Sequence, residues 1–134
     1  EIINKPKSLA MNNVYIERTD VTPLISLTSD GESKIEGKAI PEDPIAFFKP
    51  LFYWAESIAT PKLCLNINLE YFNTSVSKQL MNFFQALEAN NRINEIVVNW
   101  NYEEGDEEIQ ESGEIYQELL ERTTFNIVEY AEVL

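Results

Sequence analysis

Histidine is absent from this 134-residue chain, cysteine occurs once, and ten basic residues face 23 acidic ones. Without histidine there can be no Ser-His-Asp or Cys-His nucleophilic arrangement and no His-ligated metal site. The lone Cys64 closes no internal disulfide and, inside an alternating strand, reads as a small core residue rather than a reactive thiol. No apolar run reaches the roughly 18 residues a membrane helix needs, and the N-terminus lacks the apolar stretch of a signal peptide. A net charge of −13 repels nucleic-acid phosphates and anionic lipid surfaces. The expectation is a cytoplasmic protein with no nucleic-acid partner, no membrane partner and no cofactor.

What is present points to a folded domain. Hydrophobic residues make up 44% of the chain, and seven Phe, six Tyr and two Trp are spread along it, which is a poor match to disorder despite the charge. Residues 1–13 read as a polar arm and residues 14–134 as one domain. Val14-Tyr15-Ile16 predicts a short strand. Leu24–Leu27 and Lys34–Gly37 flank Ser29-Asp30-Gly31, whose Asp-Gly pair is expected to supply the positive φ of a tight hairpin turn. Gly37 marks a bulge or a close backbone approach.

Asp43-Pro44 opens a helix, with Asp43 as N-cap and Pro44 at the first position, and Phe47, Phe48, Leu51, Phe52, Trp54, Ala55 and Ile58 form its apolar face. Pro50 predicts a kink or a later start near Lys49. From Leu63 to Leu69 apolar and polar residues alternate, with Asn66 and Asn68 facing away from the leucines and Ile67. At Asn73-Thr74-Ser75 the period changes to a helical one carried by Val76, Leu80, Phe83, Phe84 and Leu87 and ending near Asn90. A strand at Glu95–Tyr102, a helix at Asp106–Glu121 built on Ile109, Tyr116, Leu119 and Leu120, and a strand at Phe125–Tyr130 complete the layout. The fold class is α/β (α+β): a mixed sheet with an N-terminal antiparallel hairpin, two parallel β-α-β crossovers and about three main helices.

Sites in such sheets gather at the carboxyl ends of parallel strands. One end delivers Glu70, Tyr71, Phe72, Asn73, Thr74, Ser75, Ser77 and Lys78, where hydroxyls lie beside the unpaired amides of a first helical turn. These residues suit either an ordinary helix cap or a hydroxyl regulated by phosphorylation. The other end delivers Tyr102 to Glu108, with Tyr102, Glu103, Glu104 and Asp106 as its candidate site residues, and an acidic run continues to Glu121 with no Lys or Arg. That run suits a solvated helix face or a docking surface for a basic patch, and it does not meet the ligand spacing of a calcium loop. An enzyme using Glu70 and a second carboxylate is an alternative that nothing in the spacing selects.

Several motifs taken together resemble a known family. Leu69-Glu70-Tyr71-Phe72-Asn73-Thr74-Ser75 with Ser77-Lys78, Thr22-Pro23, Gly37 with Pro41-Glu42, Phe47-Phe48-Lys49-Pro50-Leu51, and Trp100-Asn101-Tyr102-Glu103-Glu104 leading to Asp106-Glu107-Glu108 and Gly113-Glu114 look like the signature of SiaC-type regulatory phosphoproteins, across about Val14 to Tyr130. Val76 and Gly105 depart from the pattern, standing where a hydroxyl and an unbroken acidic run are common. The resemblance implies a single STAS-like domain, like that of anti-sigma-factor antagonists, without enzyme activity. It implies a partner switch in c-di-GMP signalling, of the kind that controls biofilm formation and aggregation. The unphosphorylated form would stimulate a diguanylate cyclase, and a serine/threonine protein kinase and a metal-dependent serine/threonine phosphatase would control Thr74. An anti-sigma-factor antagonist acting on transcription is the other partner switch compatible with these residues.

Overall fold

The computed structural model describes residues 13–132, so the arm expected at 1–13 lies, but for its last residue, outside the described residues. Among the described residues six strands and three helices follow one another: β1 Val14–Ile16, β2 Leu24–Leu27, β3 Glu32–Ala39, α1 Pro44–Ser57, β4 Thr60–Phe72, α2 Thr74–Ala89, β5 Ile93–Glu103, α3 Glu107–Leu119 and β6 Thr124–Tyr130. Strand order in the sheet equals chain order. β1, β2 and β3 pair antiparallel, and β3, β4, β5 and β6 pair parallel. The hairpin and both expected crossovers are present, and β3-α1-β4 adds a third. Right-handed crossovers between successive neighbours place all three helices on one face of the sheet.

That one-sided cover explains the period of two in the strands. Ile25, Leu27, Ile35, Leu63, Leu65, Ile67, Leu69, Ile96, Val98, Trp100 and Phe125 are buried beneath the helices. The opposite face carries a ladder of side-chain amides in register: Asn126 donates to Asn99 at 3.0 Å and Asn99 donates to Asn66 at 2.9 Å. Cys64 belongs to this open face, half-buried and 3.9 Å from the Asn99 amide, and not to the core expected for it. Its odd-even parity with Asn66 and Asn68 decides this.

Each helix begins with an Asx cap directly after a parallel strand or a short loop. Asp43, Asn73 and Asp106 accept from the backbone N–H three residues on, at 3.1, 3.0 and 3.2 Å respectively. α1 starts at Pro44 and runs through Pro50 without a break, so the alternative start near Lys49 does not occur. Pro50 faces solvent, while Phe48, Leu51, Trp54 and Ala55 hold the helix to the core. In α3 the core stripe is Ile109, Gly113 and Tyr116, continued by Leu120. Leu119 was expected on this stripe and is instead 57% exposed. At about 100° per residue it stands about 100° from Leu120 and about 60° from Tyr116, on the outer side of the stripe.

Glycine geometry corrects one turn and explains another. Gly31 does not adopt positive φ; the β2–β3 connection is a wider turn held by Thr28 Oγ1 donating to Asp30 at 2.6 Å and by Ser33 Oγ donating to the Thr28 carbonyl at 3.0 Å. The positive-φ glycines are Gly37 (φ 121°) and Gly105 (φ 91°). At Gly37 the β3–β4 register slips by one, leaving Glu70 unpaired as the extra residue and returning Phe72 to the core side. Gly105 makes the turn from β5 into the Asp106 cap, so the break in the acidic run is a backbone requirement.

Candidate functional site

The carboxyl ends of β4 and β5 are adjacent, and the two loops leaving them form the walls of a groove of about 460 Å³. From the first loop come Glu70, Tyr71, Phe72, Asn73, Thr74 and Ser77, and from the second Asp106, Glu108, Ile109, Glu111, Ser112 and Ile115. Because β4 and β5 are neighbours in the sheet, the two loops share one rim. No Lys or Arg lines it.

Asn73 is the residue that caps α2, which leaves Thr74 at the first helical position, exposed, with its hydroxyl making no hydrogen bond among the described residues. Ser77 has a different task. Its Oγ lies 3.1 Å from the Tyr116 hydroxyl, which also donates to the Ser77 carbonyl at 3.0 Å. This tie joins α2 to α3 at the base of the groove. Burial pushes the Tyr116 phenol above its ordinary pKa, against the lowering effect of the Ser77 bond, so it stays protonated and donating at neutral pH.

The α3 wall is set by a close approach. A Cβ on Gly113 would lie 2.4 Å from Cδ1 of Trp100, and the Trp100 indole donates to the Ile109 carbonyl at 2.8 Å. Phe72 meets Trp100 edge-on, with ring centroids 5.9 Å apart, so both walls rest on one aromatic cluster. At the outer edge Arg18 crosses Gly37, where a Cβ would lie 2.9 Å from its Nε, and pairs with Glu70 at 2.6 Å.

Other expected site residues lie apart from the groove lining. Ser75 and Lys78 border a neighbouring depression with Glu42, Asp43, Pro44, Ile45 and Gln79. Tyr102 is buried in the core, Glu103 is half-buried, and Glu104 is exposed, its backbone N–H donating to the Tyr130 carbonyl at 2.8 Å. Glu108, Glu111, Ser112, Ile115 and Tyr116 join the site without having been singled out for it. Glu108 and Glu111 stood undifferentiated within the acidic run, and Tyr116 carried only a core signal.

The fold is a mixed sheet covered on one face by helices, with an exposed helix-start hydroxyl at the edge of an acidic groove. The chain belongs to the SiaC family of regulatory phosphoproteins, whose family model matches residues 16–130. Among solved structures it is similar to SiaC of Pseudomonas aeruginosa, with a TM-score of 0.72 and 24% identity over 90% of this chain and 98% of that one. It is also similar to a chain in the crystal structure of the diguanylate cyclase SiaD in complex with its activator SiaC from the same organism. There the TM-score is 0.70 and the identity 26%, over 89% of this chain and 99% of that one. Apo-SiaC from P. aeruginosa gives a TM-score of 0.69 and 25% identity over 89% and 98% of the two chains. No curated protein sequence matches. Among the described residues no helix is long and apolar enough to cross a membrane.

Proposed function

We propose that this protein is a cytoplasmic, non-enzymatic partner switch that binds and stimulates a diguanylate cyclase when unphosphorylated and is released when Thr74 is phosphorylated. The observation that carries this reading is the setting of Thr74: exposed, unbonded among the described residues, and lining the same groove as Glu70, Asp106, Glu108 and Glu111. The structural likeness to a cyclase activator supports the choice of partner. A serine/threonine kinase and an opposing metal-dependent phosphatase complete the switch.

The chemistry of release follows from the groove. Phosphorylation adds close to two negative charges and three acceptor oxygens to a site already walled by carboxylates. The amides at the start of α2 stabilise the modified state, since the helix dipole there favours negative charge. A partner that covers Thr74 would have to strip water from a dianion, which is costly without a matching cation. The bound complex is thereby destabilised relative to the free phosphoprotein.

Intact-mass analysis and site mapping after incubation with the cognate kinase test the site, with cyclase binding measured on the same samples. One phosphate on Thr74, none on Thr74→Ala, and loss of cyclase binding on modification are expected. Modification elsewhere, with Thr74→Ala still fully switchable, would refute the assignment, and recovery of an anti-sigma kinase with no cyclase would move the protein to a transcriptional switch.

A further inference from the structure

The groove has a second property that phosphorylation does not account for, which is exposed apolar surface beside its carboxylates. Tyr71 is 50% exposed, and on α3 Ile115 and Leu119 are 58% and 57% exposed. Ile115 and Leu119 stand four residues apart and form one ridge, next to the core stripe of the same helix but not part of it. Tyr71 and Ile115 line the groove and Leu119 continues the ridge beyond it; large apolar side chains gathered at a concave site mark an interaction surface more often than isolated ones do.

Charge selects the occupant. Glu70, Asp106, Glu108 and Glu111 line the groove, and α3 carries Glu107, Glu114 and Glu118 as well, with no Lys or Arg between Glu107 and Leu119. Arg18 already meets Glu70 at the outer edge, whereas Asp106, Glu108 and Glu111 have no ion-pair partner among the described residues and repel one another until a cation is placed among them. The α1 side of Thr74 is of mixed charge: its exposed Ile45 and Tyr53 are accompanied by Lys49, and the depression beneath is bordered by Lys78 as well as by Glu42 and Asp43. A cationic segment is therefore drawn more strongly to α3, which carries carboxylates and no Lys or Arg, than to α1.

Resting on the reading of this rim as the cyclase-binding site, we infer that the groove and the Ile115–Leu119 ridge receive a partner segment in which an apolar side chain is flanked by lysines or arginines. The apolar side chain occupies the groove beside Thr74 and Tyr71, and the cations meet Glu108 and Glu111. This placement also settles a conflict of signs. A phosphate alone would attract a cationic segment, so release requires that the group next to Thr74 be apolar, where the phosphate has to be desolvated without compensation.

The test is the affinity of the unphosphorylated full chain for its purified diguanylate cyclase, measured by calorimetry at low and high salt. Ile115→Ser is expected to weaken binding about tenfold, as for loss of an apolar anchor. The double variant Glu108→Lys, Glu111→Lys is expected to weaken it by about tenfold or more at low salt and to abolish the salt dependence. Ile45→Ser on α1 is expected to bind as wild type. All these positions are exposed, and circular dichroism melts verify that each variant is folded. Wild-type affinity in both groove variants, tighter binding after charge reversal, or loss confined to Ile45→Ser would overturn the inference while leaving the cyclase as partner. A wild-type chain that binds no cyclase would overturn the partner assignment and this inference together.

Discussion

The two ends of the parallel sheet are built to opposite rules. At the carboxyl end, three Asx caps start the helices and the Ser77–Tyr116 tie and the Trp100 cluster support an otherwise open groove. At the amino end the chain closes on itself. Arg122 donates to the carbonyls of Glu88, Ile93, Leu87 and Asn90 at 2.8, 3.0, 3.2 and 2.8 Å, completing the C-terminus of α2. The Glu88 carboxylate in turn accepts from the backbone N–H groups of Glu121, Arg122 and Thr123 and from the Thr123 hydroxyl. Asn90 donates to the carbonyls of Ala55 and Ile58 at 2.9 and 2.8 Å, finishing α1. The lesson is a division of labour: at the amino end side chains tie helix, loop and strand backbones to one another, whereas at the carboxyl end Asp43, Asn73 and Asp106 only cap their own helices and the side chains of Thr74, Glu108 and Glu111 make no hydrogen bond among the described residues.

Substitutions can separate the two ends. Arg122→Ala removes one donor from each of four carbonyls, of which those of Leu87 and Asn90 keep the backbone N–H groups of Asn90 and Ile93, and is expected to lower unfolding free energy by about 3 kcal/mol in urea titrations, with partner affinity unchanged once folded. An equal loss of binding would show that the ends are coupled. Gly113→Ala forces α3 away from Trp100 and is expected to cost about 2 kcal/mol and to weaken partner binding as well, because it displaces the groove wall. The α3 backbone spacing and the Trp100 environment can be followed by indole fluorescence.

A third test uses pH. Burial pushes the Glu88 carboxyl up, but its hydrogen bonds from Glu121, Thr123 and Arg122 outweigh this and hold it below its ordinary value of 4.5. Its stabilisation is thus fully present above that ordinary value and is lost as pH falls through the folded one. The stability gap between wild type and Glu88→Gln should narrow as the solution is acidified, and a gap that widened would overturn the account. Thr74→Ala is the smallest expected change: an exposed, unbonded hydroxyl at a helix start whose cap is Asn73 contributes within about 0.5 kcal/mol. A melting temperature close to wild type would support the view that the exposed rim of the groove tolerates change where the hydrogen-bonded amino end does not.

Much of this arrangement was legible in the residues. The switch from period two to period 3.6 at Asn73 located β4, its cap and α2, because side-chain direction alternates in a strand and recurs every three or four residues in a helix. The run Phe48, Leu51, Trp54, Ala55 likewise gave α1 its buried face despite Pro50. Cys64 and Leu119 were misjudged for a shared reason: a hydrophobic type was trusted over its phase within the element. The acidic run offered no means of telling Glu108 and Glu111 from Glu104 or Glu114, since exposure of a charge carries no information about what stands opposite it.

By itself, then, the sequence determined which segments are strands and helices, where α2 and α3 start, and that Thr74 lies at the start of α2, because these depend on local periodicity and capping. Only the tertiary structure decided that β4 and β5 are neighbours, that Gly113 lets α3 settle on Trp100, and that Thr74 shares a groove with Glu108, Glu111 and Ile115. Those facts depend on contacts between residues as many as 41 positions apart in the chain. No local pattern encodes such a separation. Packing on a common core does.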